Sequence, residues 1–119
     1  MTTSPDIRAL SERAKAFAQE RDWAQFHDPK NLAMALGSEV GELLSLMRWI
    51  ANSDSDTFAR APENLQRLTE ELGDIGILLL LLCDRLGTSL DDVVSTKLQL
   101  NATKYPAELS RGKSEPPAR

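Results

Sequence analysis

The sequence predicts an all-α protein built on four helices, and three observations carry that expectation. Four segments repeat apolar residues at i, i+3, i+4 and i+7 spacing over three or more turns. Each opens on a capping side chain or a proline, the usual signature of a helix start. No stretch alternates apolar and polar residues as a strand would, and no repeat occurs at solenoid periods. At 119 residues, 41% apolar and 27% charged, the chain falls among soluble globular proteins as one domain, residues 1–106, followed by a tail.

The first helix is expected to start at Ser4-Pro5 and to run to about Arg21, with Ile7, Leu10, Ala14, Phe17 and Ala18 on its apolar stripe. Residues 22–28 break that period. They hold Trp23, Phe26 and the single histidine, His27, and read as a connection with ligand-sized side chains. Asp28-Pro29 repeats the start signal, and Leu32, Leu36, Val40, Leu43, Met47 and Ile50 carry a second helix to about Ala51. Gly37 and Gly41 inside it each cost about 1 kcal/mol relative to alanine, and close packing against a neighbour at Gly41 is the expected compensation. Residues 52–61 are polar without period and read as a loop.

Pro62 opens the third helix, with Leu65, Leu68, Leu72, Ile75 and Leu79, and Gly87 is placed to end it. From Ile75 to Cys83 this helix is apolar all round, so it must be surrounded. Three other helices of this length hardly cover it, which points to a subunit interface; a central position in a monomeric bundle is the alternative. Thr88 or Ser89 caps the fourth helix, through Leu90, Val93, Val94, Leu98 and Asn101, which stops before Pro106. Residues 107–119 are nearly devoid of apolar side chains and read as disordered.

Composition excludes several functions. The net charge is −4 and no basic stripe exists, so a nucleic-acid backbone finds little attraction. The longest apolar run has nine residues, against the roughly 18–20 that cross a bilayer, and no basic-then-apolar leader opens the chain, so a cytoplasmic setting without membrane contact is expected. One cysteine, Cys83, permits no internal disulfide, and one Cys with one His makes a zinc site improbable.

Two acidic pairs stand out: Glu39-Val40-Gly41-Glu42 and, 28 residues on, Glu71-Leu72-Gly73-Asp74 at the head of the apolar run. Residues i and i+3 of a helix share a face, about 5–6 Å apart at Cβ, so two antiparallel helices would bring four carboxylates together. Such a cluster repels itself unless a divalent cation held by oxygen ligands relieves it. The spacing is also common on plain solvent-facing helices, but here both pairs are embedded among Leu, Val and Ile. A di-iron bundle would need two Glu-x-x-His motifs, and His27 lies elsewhere; oxygen-only ligation points to Mg²⁺ or Mn²⁺.

These acids, together with Arg21-Asp22-Trp23-x-x-Phe26-His27-x-Pro29-Lys30-Asn31-Leu32 before them, Trp49 after the first pair, and Lys97, Asn101, Lys104, Tyr105 and Pro106 at the close, resemble the MazG-like all-α nucleoside triphosphate pyrophosphohydrolases. Within them the pattern is most like the small dCTP pyrophosphatase type. The resemblance covers residues 20–106 and implies a four-helix MazG-like bundle, oligomeric as a dimer or a dimer of dimers. It implies Mg²⁺-dependent cleavage between the α and β phosphates of a nucleoside triphosphate, with Glu39, Glu42, Glu71 and Asp74 as metal ligands. Glu39 is the candidate for the base that deprotonates water. Lys97, Asn101, Lys104 and Tyr105 are the candidates for the phosphates, and Trp23, His27 and Trp49 for the nucleobase. A pyrophosphohydrolase for dUTP or phosphoribosyl-ATP, and a helical interaction module without catalysis, remain the alternatives.

Overall fold

The computed structural model describes residues 4–115, and every regular element among them is helical. There are six α-helices: α1 (Ile7–Glu20), α2 (Pro29–Met47), α3 (Ser55–Arg60), α4 (Pro62–Arg85), α5 (Leu90–Lys104) and α6 (Ala107–Ser110), with 3₁₀ turns at Ala24–Phe26 and Asn52–Asp54. The four long helices match the four sequence segments. The two short ones do not.

Local chemistry explains most of the boundaries. Asp28 caps α2 by accepting from the Asn31 amide at 2.8 Å, with Pro29 in the first turn, as the sequence implies. For α1 the cap is Asp6, which accepts from the Ala9 amide at 2.8 Å, and not Ser4: the carboxylate sits where it can reach the free amides of the first turn. α2 ends at Met47, four residues before Ala51, because Arg48 to Ile50 tighten into a turn closed by Ile50 N–H to Met47 C=O. The expected loop at 52–61 contains α3, held to α4 by the Asn64 side chain donating to the Phe58 carbonyl at 3.0 Å. Gly87, at φ +75°, ends α4 in the left-handed conformation that favours glycine. Ser89 occupies the cap position of α5. α6 forms one turn within the stretch whose composition reads as disordered; residues 116–119 lie outside the described residues.

α2 packs along α4, α1 packs on the other part of α4, and α3 covers the start of α4. The small core is Ala14, Ala18, Leu32 and Leu68, with Leu32 only 1% exposed. α5 meets α4 sparsely, and every residue of α5 after Asp91 except the half-buried Asn101 is exposed. A closed four-helix bundle is therefore not what one chain forms. Its Cα radius of gyration is 17.6 Å, against about 13.5 Å for a compact chain of this length. Gly41 is not pressed against a neighbour: a Cβ there would meet nothing within 4 Å. In the apolar run Ile75–Cys83 no residue is fully buried by its own chain; all are partly covered except Ile77, which is 46% exposed. None of the described helices is long and apolar enough to cross a membrane.

Candidate metal centre

The acidic cluster sits midway along the α2 and α4 pair. The start of α2 lies by the end of α4, since His27 and Leu81, Asp84 and Arg85 line one cavity, so the two helices run antiparallel. That direction brings the middle of α2 to the first half of α4. One oxygen from each of Glu39, Glu71 and Asp74 lies within 4.8 Å of the others. Glu42, exposed and one turn beyond Glu39, stands outside this close triad and acts on Glu71 through its charge.

The Glu71 carboxyl is pushed above the ordinary carboxylate range. The main cause is a hydrogen bond with the Glu39 carboxyl facing it; partial burial comes next, then the negative charges of Glu39, Asp74 and Glu42. The buried Glu71 Oε2 has no hydrogen-bond partner. An orphaned, buried carboxylate oxygen flanked by two further carboxylates, with no histidine or thiol in the cluster, fits a hard divalent cation.

The other candidate residues are placed apart from this cluster. Trp23 makes an edge-to-face contact with Phe17 at 5.8 Å between ring centres, and its amide donates to the Ala18 carbonyl, so it belongs to the end of α1. His27 is half-buried at the far end of α4, beside the Lys15–Asp84 ion pair of 3.4 Å, not beside the acids. Trp49 projects from the opposite end of α2, 83% exposed, under the Arg48 guanidinium at 5.2 Å. Lys97, Lys104 and Tyr105 are exposed and Asn101 is half-buried. Among the described residues neither lysine pairs with a carboxylate; Lys104 lies 5.3 Å from the Tyr105 ring. Sequence reading passed over Arg48, Lys15 and Arg85. Arg48 had a signal in its place beside Trp49 at a helix end, whereas Lys15 and Arg85 come together only through the packing of α1 on α4.

A model of the MazG-like family matches residues 34–115, more than half of the chain. The protein belongs to the MazG-like family. The matched part of this MazG-like chain includes all four acids, Trp49 and the α5 residues, and leaves out Trp23 and His27. The chain is 43% identical over 110 residues to dCTP pyrophosphatase 1 of Mus musculus, over 92% of its own length and 63% of the relative's. To dCTP pyrophosphatase 1 of Homo sapiens it is 41% identical over 112 residues, 94% of its length and 64% of the relative's. It thus spans under two thirds of these relatives. The crystal structure of a pyrophosphatase from Archaeoglobus fulgidus matches the fold with a TM-score of 0.77 at 32% identity, over 89% of this chain and 97% of that one.

Proposed function

We propose that this MazG-like protein is a Mg²⁺-dependent nucleoside triphosphate pyrophosphohydrolase, acting on dCTP-like substrates to give the monophosphate and pyrophosphate. The convergence of Glu39, Glu71 and Asp74 around an unpartnered Glu71 oxygen carries this reading. The likeness to proteins named dCTP pyrophosphatase supports the choice of reaction and base.

Glu39, Glu71 and Asp74 would hold Mg²⁺, or Mn²⁺ in its place, with Glu42 at the edge. A divalent cation bound there supplies charge neutralisation for phosphate oxygens and a lowered pKa for a water molecule. Glu39, one of the three converging carboxylates, would accept a proton from the attacking water. Lys97 and Lys104, two turns apart on one face of α5 with Asn101 between them, bind the outer phosphates together with Tyr105. Trp23 and Trp49 offer stacking faces to the base, and His27 an edge hydrogen bond. The exposed apolar side chains of α2 and α4, Val40, Leu44, Leu65, Leu72 and Ile77, support a homo-oligomer, dimer or tetramer, and a cytoplasmic setting suits the substrate.

The test is a pyrophosphate-release screen over the common deoxy- and ribonucleoside triphosphates and phosphoribosyl-ATP, with Mg²⁺, Mn²⁺ or chelator. Release that needs metal and is fastest with dCTP is expected. A maximum with dUTP or phosphoribosyl-ATP would reassign the substrate, and silence across the panel would favour a non-catalytic interaction module.

A further inference from the structure

We propose that the hollow between α1, the turn before α2 and the end of α4 is a binding site for a small phosphate-type oxyanion, which clamps α1 onto α4. It stands apart from the acidic cluster, and nothing in it depends on which reaction the acids perform.

The donor set carries the inference. Lys15 and Gln19 come from α1, His27 from the turn before α2, and Asp84 and Arg85 from the last turn of α4; together they line a half-open cavity of about 180 Å³. Ammonium, guanidinium, amide and imidazole groups all offer N–H donors, and a guanidinium suits phosphate oxygens in shape as well as charge. Asp84 is the one carboxylate on the wall. It lies 3.4 Å from the Lys15 ammonium, and Glu12 lies 4.0 Å from it. Both distances exceed the ~2.7–3.2 Å of a hydrogen bond, so the ammonium keeps donors to give. Among the described residues Arg85 pairs with no carboxylate. Two cations thus face one carboxylate across a concave wall rich in donors, in a chain whose net charge is −4. Such a wall calls for a ligand made of acceptors and carrying negative charge.

Helix packing alone does not explain the group. The Lys15–Asp84 pair, with side chains 35% and 39% exposed, would link α1 to α4 without Arg85 beside it, and a pair so open adds little stability. The negative end of α4 favours Arg85 in its last turn, but it does not bring Lys15 and His27 to the same wall. α1 buries only Ala14 and Ala18, so an anion bridging Lys15 to Arg85 would strengthen a light attachment.

Size and position narrow the ligand. Small-molecule pockets run from about 300 Å³ upward, so a hollow of about 180 Å³ has no room for a whole nucleotide and suits orthophosphate or pyrophosphate. Asp84 follows Asp74 by ten residues on α4, roughly 15 Å along the axis. A phosphate group held at the acids therefore does not touch Lys15 or Arg85.

The test uses the tag-free chain in chelator, where the acids without metal repel an anion. His27 is the single histidine, so its imidazole gives one set of NMR signals on the wall of the hollow. Sodium pyrophosphate and orthophosphate are titrated at fixed pH and constant ionic strength, with chloride as the reference salt and deoxycytidine as a base without phosphate. Saturable movement of the His27 signals by either phosphate is expected, and the tighter of the two names the occupant. Arg85→Gln and Lys15→Met should each raise the dissociation constant about 10-fold, the scale of one charge-assisted contact. Arg85 is exposed, so its variant keeps the fold even if loss of Lys15 loosens α1, and circular dichroism checks both. Hydrogen exchange of the α1 amides should slow on saturation in wild type and not in Arg85→Gln; unchanged exchange at saturation overturns the clamp. No saturable movement, movement matched by chloride, or equal binding by Arg85→Gln and wild type overturns the site. So does stronger movement by deoxycytidine than by either phosphate, which would make the hollow a seat for the base.

Discussion

The middle of the α2 and α4 pair and the α5 helix both carry charged candidate residues, yet one chain organises only the first. Glu39, Glu71 and Asp74 converge because two long antiparallel helices hold them from both sides. Lys97 and Lys104 stand on a helix that is exposed after Asp91 except at Asn101. The difference shows where the energy of a site comes from. Helix packing can force like charges together, and it makes them depend on a cation. Cations on an unpacked helix pay no such desolvation cost, and they gain position only when something else docks against them.

The comparison can be broken most directly at the acids. Glu71→Gln or Asp74→Asn is expected to lower kcat on the order of 100-fold or more, since charge stabilisation by a bound cation is worth several kcal/mol, while circular dichroism stays unchanged. Near-normal rates in both variants would move the site elsewhere. On α5, Lys97→Ala and Lys104→Ala should each cost about 10-fold in kcat/KM, the scale of one charge-assisted contact to phosphate. Equal, negligible effects in both would leave α5 outside the site. Trp23→Ala and Trp49→Ala should each weaken all nucleotides by similar factors, worth about 1–3 kcal/mol of stacking. His27→Ala should instead narrow the gap between bases, because an edge hydrogen bond rejects a wrong partner more sharply than a ring does. Unchanged kcat/KM for every nucleotide in the tryptophan variants would take both rings off the base.

The smallest effect is on stability. A carboxyl whose pKa is raised in the folded state binds its proton more tightly there than in the unfolded chain. Its contribution is therefore full below the ordinary carboxylate range and is lost as pH rises through the raised value. In chelator, the wild-type melting temperature should thus fall as pH goes from mildly acid to neutral, and Glu71→Gln should flatten that slope and melt higher at neutral pH. Added Mg²⁺ should erase the difference for wild type. A slope in Glu71→Gln as steep as in wild type would mean that Glu71 is not the strained group.

The four long helices were legible because their information is local. Asp28-Pro29, Pro62 and Gly87 mark ends by chain chemistry that operates within a turn or two. The acid pairs were legible for a related reason, since i and i+3 on each helix fix a shared face, and only the antiparallel meeting had to be supplied. What one chain's pattern does not contain is the relation between distant ends. The cap at Asp6 competed with an equally plausible Ser4-Pro5, and α3 is too short for a period to show. His27 was grouped with the two tryptophans by type, although the packing of α1 on α4 sets it beside Lys15 and Asp84. The apolar stripes on α2 and α4 mark faces that need burial, yet Val40, Leu65 and Leu72 remain uncovered by their own chain, because the period tells that a face needs burial and not what buries it.

The claim that the α2 and α4 acids form a divalent-cation site is tested most directly by Mn²⁺ titration followed by electron paramagnetic resonance, on wild type and on the Glu71→Gln variant in parallel. Saturable loss of the free Mn²⁺ signal in wild type, competed by Mg²⁺ and much weakened in Glu71→Gln, is the predicted result. Equal binding by the two proteins, or none by wild type, would contradict it.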